Sequence, residues 1–257
     1  MGTALITGAT SGLGEEFAWQ LAAAGHDLVL AARREDVLRA LAERLQSVAG
    51  VRAEVIVADL STPEGCAAVA RRIDAPSDAQ TPPIGLLVNN AGFGLGKPFP
   101  DNDLEAELNG LDVMVRAVMV LSHHAVRAMR ARGRGAILNV ASVASRTGAG
   151  TYSAHKAWVV AFTEGLSEEL RGTGVTATAV CPGPVRTAFF EKAGVDMTRT
   201  PGAFMAEPEE VVSEALDAVR VGRVLVTPTP VYKAAMAAMK LMPRSAVRAA
   251  MRGVPHM

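Results

Sequence analysis

The chain has 257 residues, among them 26 basic and 26 acidic side chains and two cysteines, Cys66 and Cys181. The balanced charge gives no reason to expect nucleic acid or another strongly charged partner, and two cysteines are too few for a disulfide framework. No apolar run approaches the ~20 residues that span a bilayer, and a strand-like segment begins almost at Met1, leaving no room for a signal peptide. We therefore expect a cytoplasmic protein with one domain, residues 1–257.

Short apolar runs alternate with longer helical patterns along the chain. The runs predict strands at Ala4–Thr7, Asp27–Ala31, Ala53–Ala58, Gly85–Asn89, Ala136–Ala141, Thr176–Cys181 and Arg223–Thr227. Helices are predicted near Leu13–Ala24, Arg34–Val48, Pro63–Ile73, Asp103–Arg132, Tyr152–Arg171 and Pro208–Val219. This alternation is typical of parallel strands joined by right-handed crossovers. We predict an α/β fold, a single doubly wound, Rossmann-type domain in which helices flank a seven-stranded parallel sheet.

The first predicted strand runs into a glycine-rich segment, Thr7-Gly8-Ala9-Thr10-Ser11-Gly12-Leu13-Gly14. Gly8 allows a tight turn, Gly12 keeps a Cβ away from a pyrophosphate, and Gly14 allows close packing of the helix on the sheet. The amides at the start of the helix would face the phosphates. Glycines in a loop are often plain turn residues, so the phosphate interpretation depends on the motifs that accompany them.

Further motifs follow the carboxyl ends of later strands, the edge where ligands bind in this architecture. They are Asn89-Asn90-Ala91-Gly92, Ser142, and the pair Tyr152 and Lys156, which share one face of a predicted helix. Together with the glycine-rich segment they resemble the classical short-chain dehydrogenase/reductase family, in its order and near its spacing, from about residue 3 to about residue 190. The resemblance implies a cofactor site formed by Gly8, Thr10, Ser11, Gly12, Leu13, Gly14, Arg33, Arg34, Asp59, Leu60, Asn90, Ala91, Gly92, Tyr152, Lys156, Pro182, Gly183, Val185 and Thr187.

The second strand ends at two cations, Arg33 and Arg34, where an NAD-binding protein typically carries an acidic residue. A guanidinium can hold a 2′-phosphate by two charge-assisted hydrogen bonds, so NADP(H) is favoured, although both arginines could simply be a solvated helix start. In the resembling family an Asp at position 59 receives the adenine amino group. The alternative is that Asp59 caps the next helix, for which Thr62-Pro63 is also a good start.

The resemblance also assigns the chemistry. Tyr152 would exchange a proton with the carbonyl or alcohol oxygen, Ser142 would hydrogen-bond the same oxygen, and Lys156 would hold the nicotinamide ribose. The ammonium of Lys156 is expected to lower the pKa of the Tyr152 phenol from its ordinary value of about 10. The loop Pro182-Gly183 would wrap the nicotinamide, with the Val185 main chain at the carboxamide and Thr187 at the amide or a phosphate.

Two departures from the family pattern bear on catalysis. Only nine residues separate Ser142 from Tyr152, so the loop is short and Ser145 is an alternative to Ser142. The family's catalytic asparagine, which supports a helix kink and a water relay from the lysine, falls on Met114, because Asn109 is out of phase. A thioether cannot replace an amide's hydrogen bonds, so we expect slowed or altered proton relay. The alternative function is a catalytically weakened dinucleotide-binding sensor or scaffold.

The C-terminal part points to an apolar substrate. The family's substrate lid would cover about residues 188–207, which include Phe189, Phe190, Met197, Phe204 and Met205, and Phe93, Leu95 and Phe99 could extend the same wall. After Asp217 the sequence has seven basic residues and no acidic one, and about residues 231–257 read as a basic amphipathic tail. It could serve as a contact in a homodimer or homotetramer, as a cap on the pocket, or as a weak membrane-surface anchor, although Pro243 breaks its periodicity. His123, His124 and His155 lack partners at metal spacing, so no metal is expected.

Overall fold

The computed structural model describes residues 2–78, 80–148, 150–195 and 202–250. Its strands are β1 (Thr3–Thr7), β2 (Asp27–Ala32), β3 (Ala53–Val57), β4 (Ile84–Asn89), β5 (Gly135–Val140), β6 (Val175–Val180) and β7 (Leu225–Val226). They form one parallel sheet in the order β3-β2-β1-β4-β5-β6-β7. The predicted doubly wound, seven-stranded parallel sheet is confirmed, although the last strand is shorter than the predicted Arg223–Thr227.

Helices cover both faces of the sheet. They are α1 (Gly12–Ala23), α2 (Glu35–Ala49), α3 (Pro63–Asp74), α4 (Leu104–Leu111), α5 (Ala117–Arg132), α6 (Gly150–Glu169), α7 (Phe189–Lys192), α8 (Pro208–Arg220), α9 (Pro230–Leu241) and α10 (Arg244–Ala250). On one face Phe17 of α1 packs with Leu38 of α2 and Val211 of α8 in a single buried cluster. On the other, Val69 of α3 and Leu121 of α5 belong to a second cluster. Apolar layers on both faces explain why the strands read as nearly continuous apolar runs.

The order of the strands places a crevice at the centre of the sheet. β1 pairs with β2 on one side and with β4 on the other, with Leu5 opposite both Val29 and Leu87. From β1 the chain adds β2 and β3 on one side of the sheet. It then returns to the other side of β1 and adds β4 and the later strands in the opposite direction. Loops leaving β1 and β4 at their carboxyl ends diverge to opposite faces, and such a reversal is where doubly wound sheets bind ligands.

Two helical regions differ from the prediction. The helix expected over Asp103–Arg132 is interrupted by a π-helical turn, Asp112–Arg116, in which the amide of Ala117 donates to the Asp112 carbonyl. The described part of the basic tail, up to residue 250, forms two helices, and Pro243 lies between them, as its effect on the periodicity indicated. Among the described helices, none is long and apolar enough to cross a membrane.

Candidate active site

A cavity of about 510 Å³ opens at the carboxyl ends of the strands. All the residues predicted for the site line this cavity except Gly14. A Cβ on Gly14 would lie 2.2 Å from the carbonyl oxygen of Gly8, so this glycine allows the start of α1 to pack against the turn that follows β1. Gly14 therefore has the packing role that its position predicted, one layer behind the cavity wall.

The glycine-rich turn presents main chain to the cavity. Gly8 has a φ of 66° and Gly12 a φ of 56°, values that side-chain-bearing residues rarely adopt. A Cβ on Gly12 would also lie 3.2 Å from Cγ2 of Thr187, across the cavity mouth. The turn therefore brings the first amides of α1 to the cavity without side chains in front of them, which suits a phosphate group.

Amide side chains hold the loop after β4 against the loop after β1. Nδ2 of Asn90 donates to the carbonyl oxygens of Thr7 (3.0 Å) and Gly8 (3.2 Å). The Thr7 hydroxyl accepts from the main-chain amides of Asn90 (3.0 Å) and Ala91 (3.1 Å). Behind them, Nδ2 of Asn89 donates to Oδ1 of Asn139 at 2.8 Å. The bonds of Asn90 and Thr7 fix the width of the crevice between β1 and β4, and the bond of Asn89 ties β4 to β5.

The two arginines after β2 differ in their contacts. Arg34 donates to the carbonyl oxygen of Thr10 (3.0 Å) and to its hydroxyl (3.2 Å), which ties it to the glycine-rich turn. The side chain of Arg33 is 64% exposed, with Nη1 4.0 Å from Oδ2 of Asp59. Arg33 therefore keeps most of its donors free at the cavity edge, whereas part of the Arg34 guanidinium is engaged.

Asp59 does not cap the next helix. Burial raises the pKa of its carboxyl, but hydrogen bonds from the amide and hydroxyl of Ser61 and the charge of Arg33 lower it further, so the net pKa is below the ordinary value. The N-cap of α3 is Thr62, whose hydroxyl accepts from the Gly65 amide. The alternative reading of Asp59 as a cap is therefore wrong, and its charged carboxylate lines the cavity.

The loop after β6 closes the other end of the cavity. Gly183 is not needed there for a positive φ, since it is not among the positive-φ residues of the described chain. It makes room instead for Tyr232 of α9, because a Cβ on Gly183 would lie 2.3 Å from that ring. Tyr232 lines the cavity and donates to the Phe204 carbonyl at 2.8 Å.

Ser142, Tyr152 and Lys156 meet in the middle of the cavity. Ser142 follows β5 and hydrogen-bonds the Tyr152 side chain, while Nζ of Lys156 donates to the Val140 carbonyl at 2.7 Å. The short loop does not displace Ser142, because residues Val143–Arg146 form a 3₁₀ turn that the Ser142 hydroxyl caps at the Ala144 amide. Ser145 is buried outside the cavity wall, so the structure favours Ser142 over this alternative.

Comparison with known proteins identifies the family. A family model described as short chain dehydrogenase matches residues 2–197. The chain belongs to the short chain dehydrogenase family. These proteins are oxidoreductases, and the match spans β1 to β6 and α7.

Relatives and solved structures agree with this assignment. A Streptomyces virginiae protein assigned as a ketoacyl reductase of the monensin polyketide synthase is 40% identical over 199 residues, covering 74% of this chain and 72% of the relative. The 7beta-hydroxysteroid dehydrogenase of Collinsella aerofaciens is 31% identical over 224 residues, 83% of this chain and 81% of the relative. A short-chain dehydrogenase from Sphingobium yanoikuyae, solved in complex with NADPH, is 33% identical with a TM-score of 0.83, covering 95% and 98% of the two chains.

Burial is the main cause of the pKa shifts of Tyr152 and Lys156. It raises the pKa of the Tyr152 phenol above its ordinary value, and the hydrogen bond with Ser142 offsets only part of this. Burial also lowers the pKa of Lys156 from 10.5 to about 8. The shift of the Tyr152 pKa is opposite to the lowering expected from Lys156, because burial of the phenol outweighs the effects that favour its charged form. The protein alone therefore keeps Tyr152 protonated, in the form of a proton donor.

Met114 lies next to this pair. It is fully buried within the π-helical turn, and a Cβ on Gly92 would lie 3.4 Å from Nζ of Lys156 and 3.5 Å from Sδ of Met114. The helix is thus distorted at this position although the side chain is a thioether and not an amide. π-Helical turns are frequent at functional sites.

Several substrate-wall residues differ from the prediction. Phe93, Phe189 and Phe190 line the cavity, and the Phe189 ring centre lies 5.8 Å from that of Tyr152. Leu95, Phe99, Phe204 and Met205 are not part of the cavity wall, and Phe99 and Phe204 are exposed. Met197 lies outside the described residues. Sequence reasoning missed Tyr232, although its position two residues after Pro230 at the start of an amphipathic helix is a usable signal.

The side chains that commonly ligate metals do not cluster in the described part of the chain. Within the described ranges, no group of three or more His, Cys, Asp or Glu side chains could hold a metal ion. His124, one of the histidines considered above, contacts Oδ2 of Asp74 through Nδ1 at 2.6 Å. His155 is buried on α6, and burial lowers the pKa of its imidazole.

Proposed function

We propose that the protein is an NADP(H)-dependent oxidoreductase that acts on CH–OH donors and interconverts an apolar ketone or aldehyde and its alcohol. The observation that carries this proposal is that Ser142, Tyr152 and Lys156 line the same cavity as Arg33 and Arg34. The same cavity therefore holds a proton donor, Tyr152, and cationic side chains that suit the 2′-phosphate of a dinucleotide.

The residues of the cavity fit the dinucleotide. The main chain at Gly8 and Gly12 offers amides to a pyrophosphate, and a Cβ at either position would meet a neighbouring loop. The exposed guanidinium of Arg33 can form two parallel hydrogen bonds with a 2′-phosphate, whereas the carboxylate of Asp59 suits the adenine amino group. The NADPH complex of the Sphingobium yanoikuyae relative supports the same cofactor.

The chemistry follows from the protonation states. Bound NADPH supplies the hydride. Tyr152 then donates its phenolic proton to the carbonyl oxygen, while the Ser142 hydroxyl donates a hydrogen bond to that oxygen and stabilises its developing charge. Lys156, charged below about pH 8, favours the phenolate that remains and holds the nicotinamide ribose. Since burial keeps the Tyr152 phenol protonated, the site is prepared for reduction.

The walls around this centre favour an apolar substrate. Phe93, Phe189, Phe190 and Val195 line the cavity beside Tyr152, and the ring of Tyr232 covers the Pro-Gly loop. Aromatic and aliphatic walls with few polar groups select for burial of apolar surface. The hydroxysteroid named for the Collinsella aerofaciens relative is consistent with such a wall.

The C-terminal tail contributes to the pocket. Tyr232 of α9 lies in the cavity wall, and Met236 is buried with Ala141 and Cys181 beneath the same loops. These contacts favour the pocket cap among the three proposed uses of the tail. Assembly as a homodimer or homotetramer, weak membrane-surface contact and a cytoplasmic location stay predictions.

The experiment that tests the proposed function follows NADPH absorbance with a panel of apolar ketones and aldehydes, and repeats it with NADH. We expect turnover that prefers NADPH and increases with the apolar area of the ketone. Tight NADPH binding without turnover across the panel would instead support the alternative, a dinucleotide-binding sensor or scaffold. That alternative is favoured by one observation, Met114 at the position of the family's asparagine.

A further inference from the structure

The charged side chains that line the cavity do not balance. Among the described residues, those with positive charge are Arg33, Arg34, Lys156 and Lys192, and the carboxylate is that of Asp59. Asp59 lies beside Arg33 at 4.0 Å, and Lys156 is bound to the Val140 carbonyl. Arg34 and Lys192 therefore bring two positive charges to the cavity, and neither forms an ion pair within the described part of the chain.

Lys192 connects the predicted substrate lid with the glycine-rich turn. It is the last residue of α7, and its exposed Nζ lies 3.4 Å from Oγ of Ser11. This contact joins the segment after β6 to the loop after β1. Thr187 approaches Gly12 between the same two segments, as described above, so the lysine spans a place where both loops already lie close together.

The main chain that carries Lys192 is fixed by packing. The Lys192 amide donates to the Ala188 carbonyl at 3.0 Å, and the side chain of Phe190 on the same helix is buried. The end of α7 packs on the loop after β4, where the Ala193 carbonyl leaves no room for a Cβ on Gly96. The ammonium is therefore presented to the cavity by a segment that is held in place on two sides.

The helix end that Lys192 meets has no negative group of its own. Ser11 is the N-cap residue of α1, but in the described structure its hydroxyl makes no capping hydrogen bond with the helix amides. Serine at an N-cap usually accepts such a bond. Arg34 binds the carbonyl and hydroxyl of Thr10, the preceding residue. Two cations and the positive end of a helix dipole thus meet at one turn, an arrangement that an anion would stabilise.

We propose that Lys192 binds the pyrophosphate of the dinucleotide from the lid, so that the bound cofactor positions the substrate wall. This inference rests on the proposed function. A lysine ammonium suits a phosphate oxygen as a compact point charge. Because NADPH and NADH both contain the pyrophosphate, Lys192 contributes to the affinity for either cofactor, whereas Arg33 contributes to the choice between them.

The position of α7 gives this contact a consequence for the substrate. Phe189 and Phe190 on the same short helix line the cavity, and the Phe189 ring centre lies 5.8 Å from that of Tyr152. Phe189 precedes Lys192 by three residues, so a bond between Lys192 and the cofactor also restrains the aromatic wall beside Tyr152. The ketone therefore meets a complete wall only after the dinucleotide has bound.

The test measures Kd of wild type and of Lys192→Gln by calorimetry for NADPH, NADH and adenosine 2′-monophosphate, which contains the 2′-phosphate but no pyrophosphate. Loss of one charge-assisted bond should raise Kd for NADPH and NADH about tenfold each and leave Kd for the monophosphate within about twofold. A loss with NADPH and the monophosphate but not with NADH would assign Lys192 to the 2′-phosphate and overturn the proposal. Unchanged Kd values for all three ligands would also overturn it.

Two variants control for charge and for position. Lys192→Arg keeps the positive charge and should bind NADPH with a Kd within about threefold of wild type. Lys240→Gln removes the charge of an exposed lysine on α9 that does not line the cavity, and it should bind all three ligands like wild type. A loss of NADPH affinity in Lys240→Gln as large as that in Lys192→Gln would contradict the assignment, because the effect would then come from net charge.

The effect on the substrate wall is measured separately. At saturating NADPH, KM for the best ketone should rise about two- to fivefold in Lys192→Gln, since its wall is no longer restrained by the cofactor. An unchanged KM would overturn the link between cofactor and wall. The titrations need no turnover, so a protein that binds NADPH through Lys192 but reduces no ketone would contradict the proposed function and support the role of Lys192.

Discussion

The two ends of the cavity are built from different parts of the polypeptide. At the dinucleotide end, the cavity wall is mostly main chain. Gly8 and Gly12 expose amides there, and Asn90 holds two loops together through hydrogen bonds to main-chain carbonyl oxygens. At the substrate end, the wall consists of side chains such as Phe189 and Tyr232, contributed by segments far apart in sequence. The dinucleotide end therefore requires particular residue types at fixed spacing in the sequence. The substrate end requires only side chains of suitable size and polarity.

A third region, behind Lys156, follows neither pattern. Its polar atoms belong to α4 and α6, and a methionine lies between them and the lysine. The comparison therefore predicts that substitutions at the dinucleotide end alter cofactor choice, those at the centre abolish chemistry, and those behind the centre change proton supply. The following predictions test this division.

Lys156→Met should have the largest effect. Loss of the ammonium beside Tyr152 should lower kcat by about 10²- to 10⁴-fold. In wild type, kcat/KM should decrease as pH rises through about 8, since the buried ammonium then loses its proton. Steady-state kinetics over pH 6–10 measure both effects. A pH-independent kcat/KM across this range would show that the charge of Lys156 is not required.

The same variant should be more stable than wild type. Folding lowers the Lys156 pKa from 10.5 to about 8, so the unfolded chain binds more protons between these values and wild-type stability rises with pH across this window. Removing the buried charge should raise the free energy of unfolding at pH 7 by about 1–3 kcal/mol, after allowance for the lost bond to Val140. Urea unfolding at pH 7 and pH 10.5 measures the difference, which should shrink at the higher pH.

Arg33→Ala should change cofactor choice with a smaller loss. Removing two charge-assisted bonds to a 2′-phosphate should raise KM for NADPH about 10- to 100-fold and leave KM for NADH within about twofold. Arg34→Ala should raise both, because Arg34 also holds Thr10 of the glycine-rich turn. Arg39→Ala is the matched control, since this exposed arginine pairs with Glu35 on α2. Equal losses with both cofactors in Arg33→Ala would refute its role at the phosphate.

Much of the dinucleotide end could be predicted from sequence for a physical reason. Residues with a side chain rarely adopt the φ of Gly8 and Gly12, and a cation suits a 2′-phosphate better than an acidic residue does, so residue type there reports geometry. The substrate end could not be predicted in the same way. Phe189 and Phe204 have equal hydrophobicity, yet one lines the cavity and the other is exposed, since tertiary packing decides their placement.

The π-helical turn could not be predicted from the sequence pattern either. Asp112–Arg116 has a helical pattern, and the difference between four- and five-residue hydrogen bonding depends on how α4 and α5 pack on α6 and on the sheet. The partners of His155 were missed for the same reason. His155 is adjacent to Lys156 in sequence, but the residue that acts on it, Glu107, comes from a different helix.

Met114→Asn should have the smallest effect. An amide beside Lys156 adds a polar route for protons, so kcat should rise about two- to threefold. The buried amide should also lower thermal stability, because its polar atoms replace a packed thioether. Steady-state kinetics of the variant and of wild type measure the rise. An unchanged kcat would indicate that proton supply does not limit turnover.

The central claim, that Tyr152 gives its proton to a carbonyl reduced by NADPH in this cavity, is tested most directly by Tyr152→Phe. The account predicts that this variant binds NADPH with a Kd within about threefold of wild type, measured by fluorescence titration, and loses about 10²- to 10⁴-fold in kcat with the best ketone of the panel. Retention of more than about one tenth of the wild-type kcat would contradict it, since the ring without its hydroxyl cannot donate a proton.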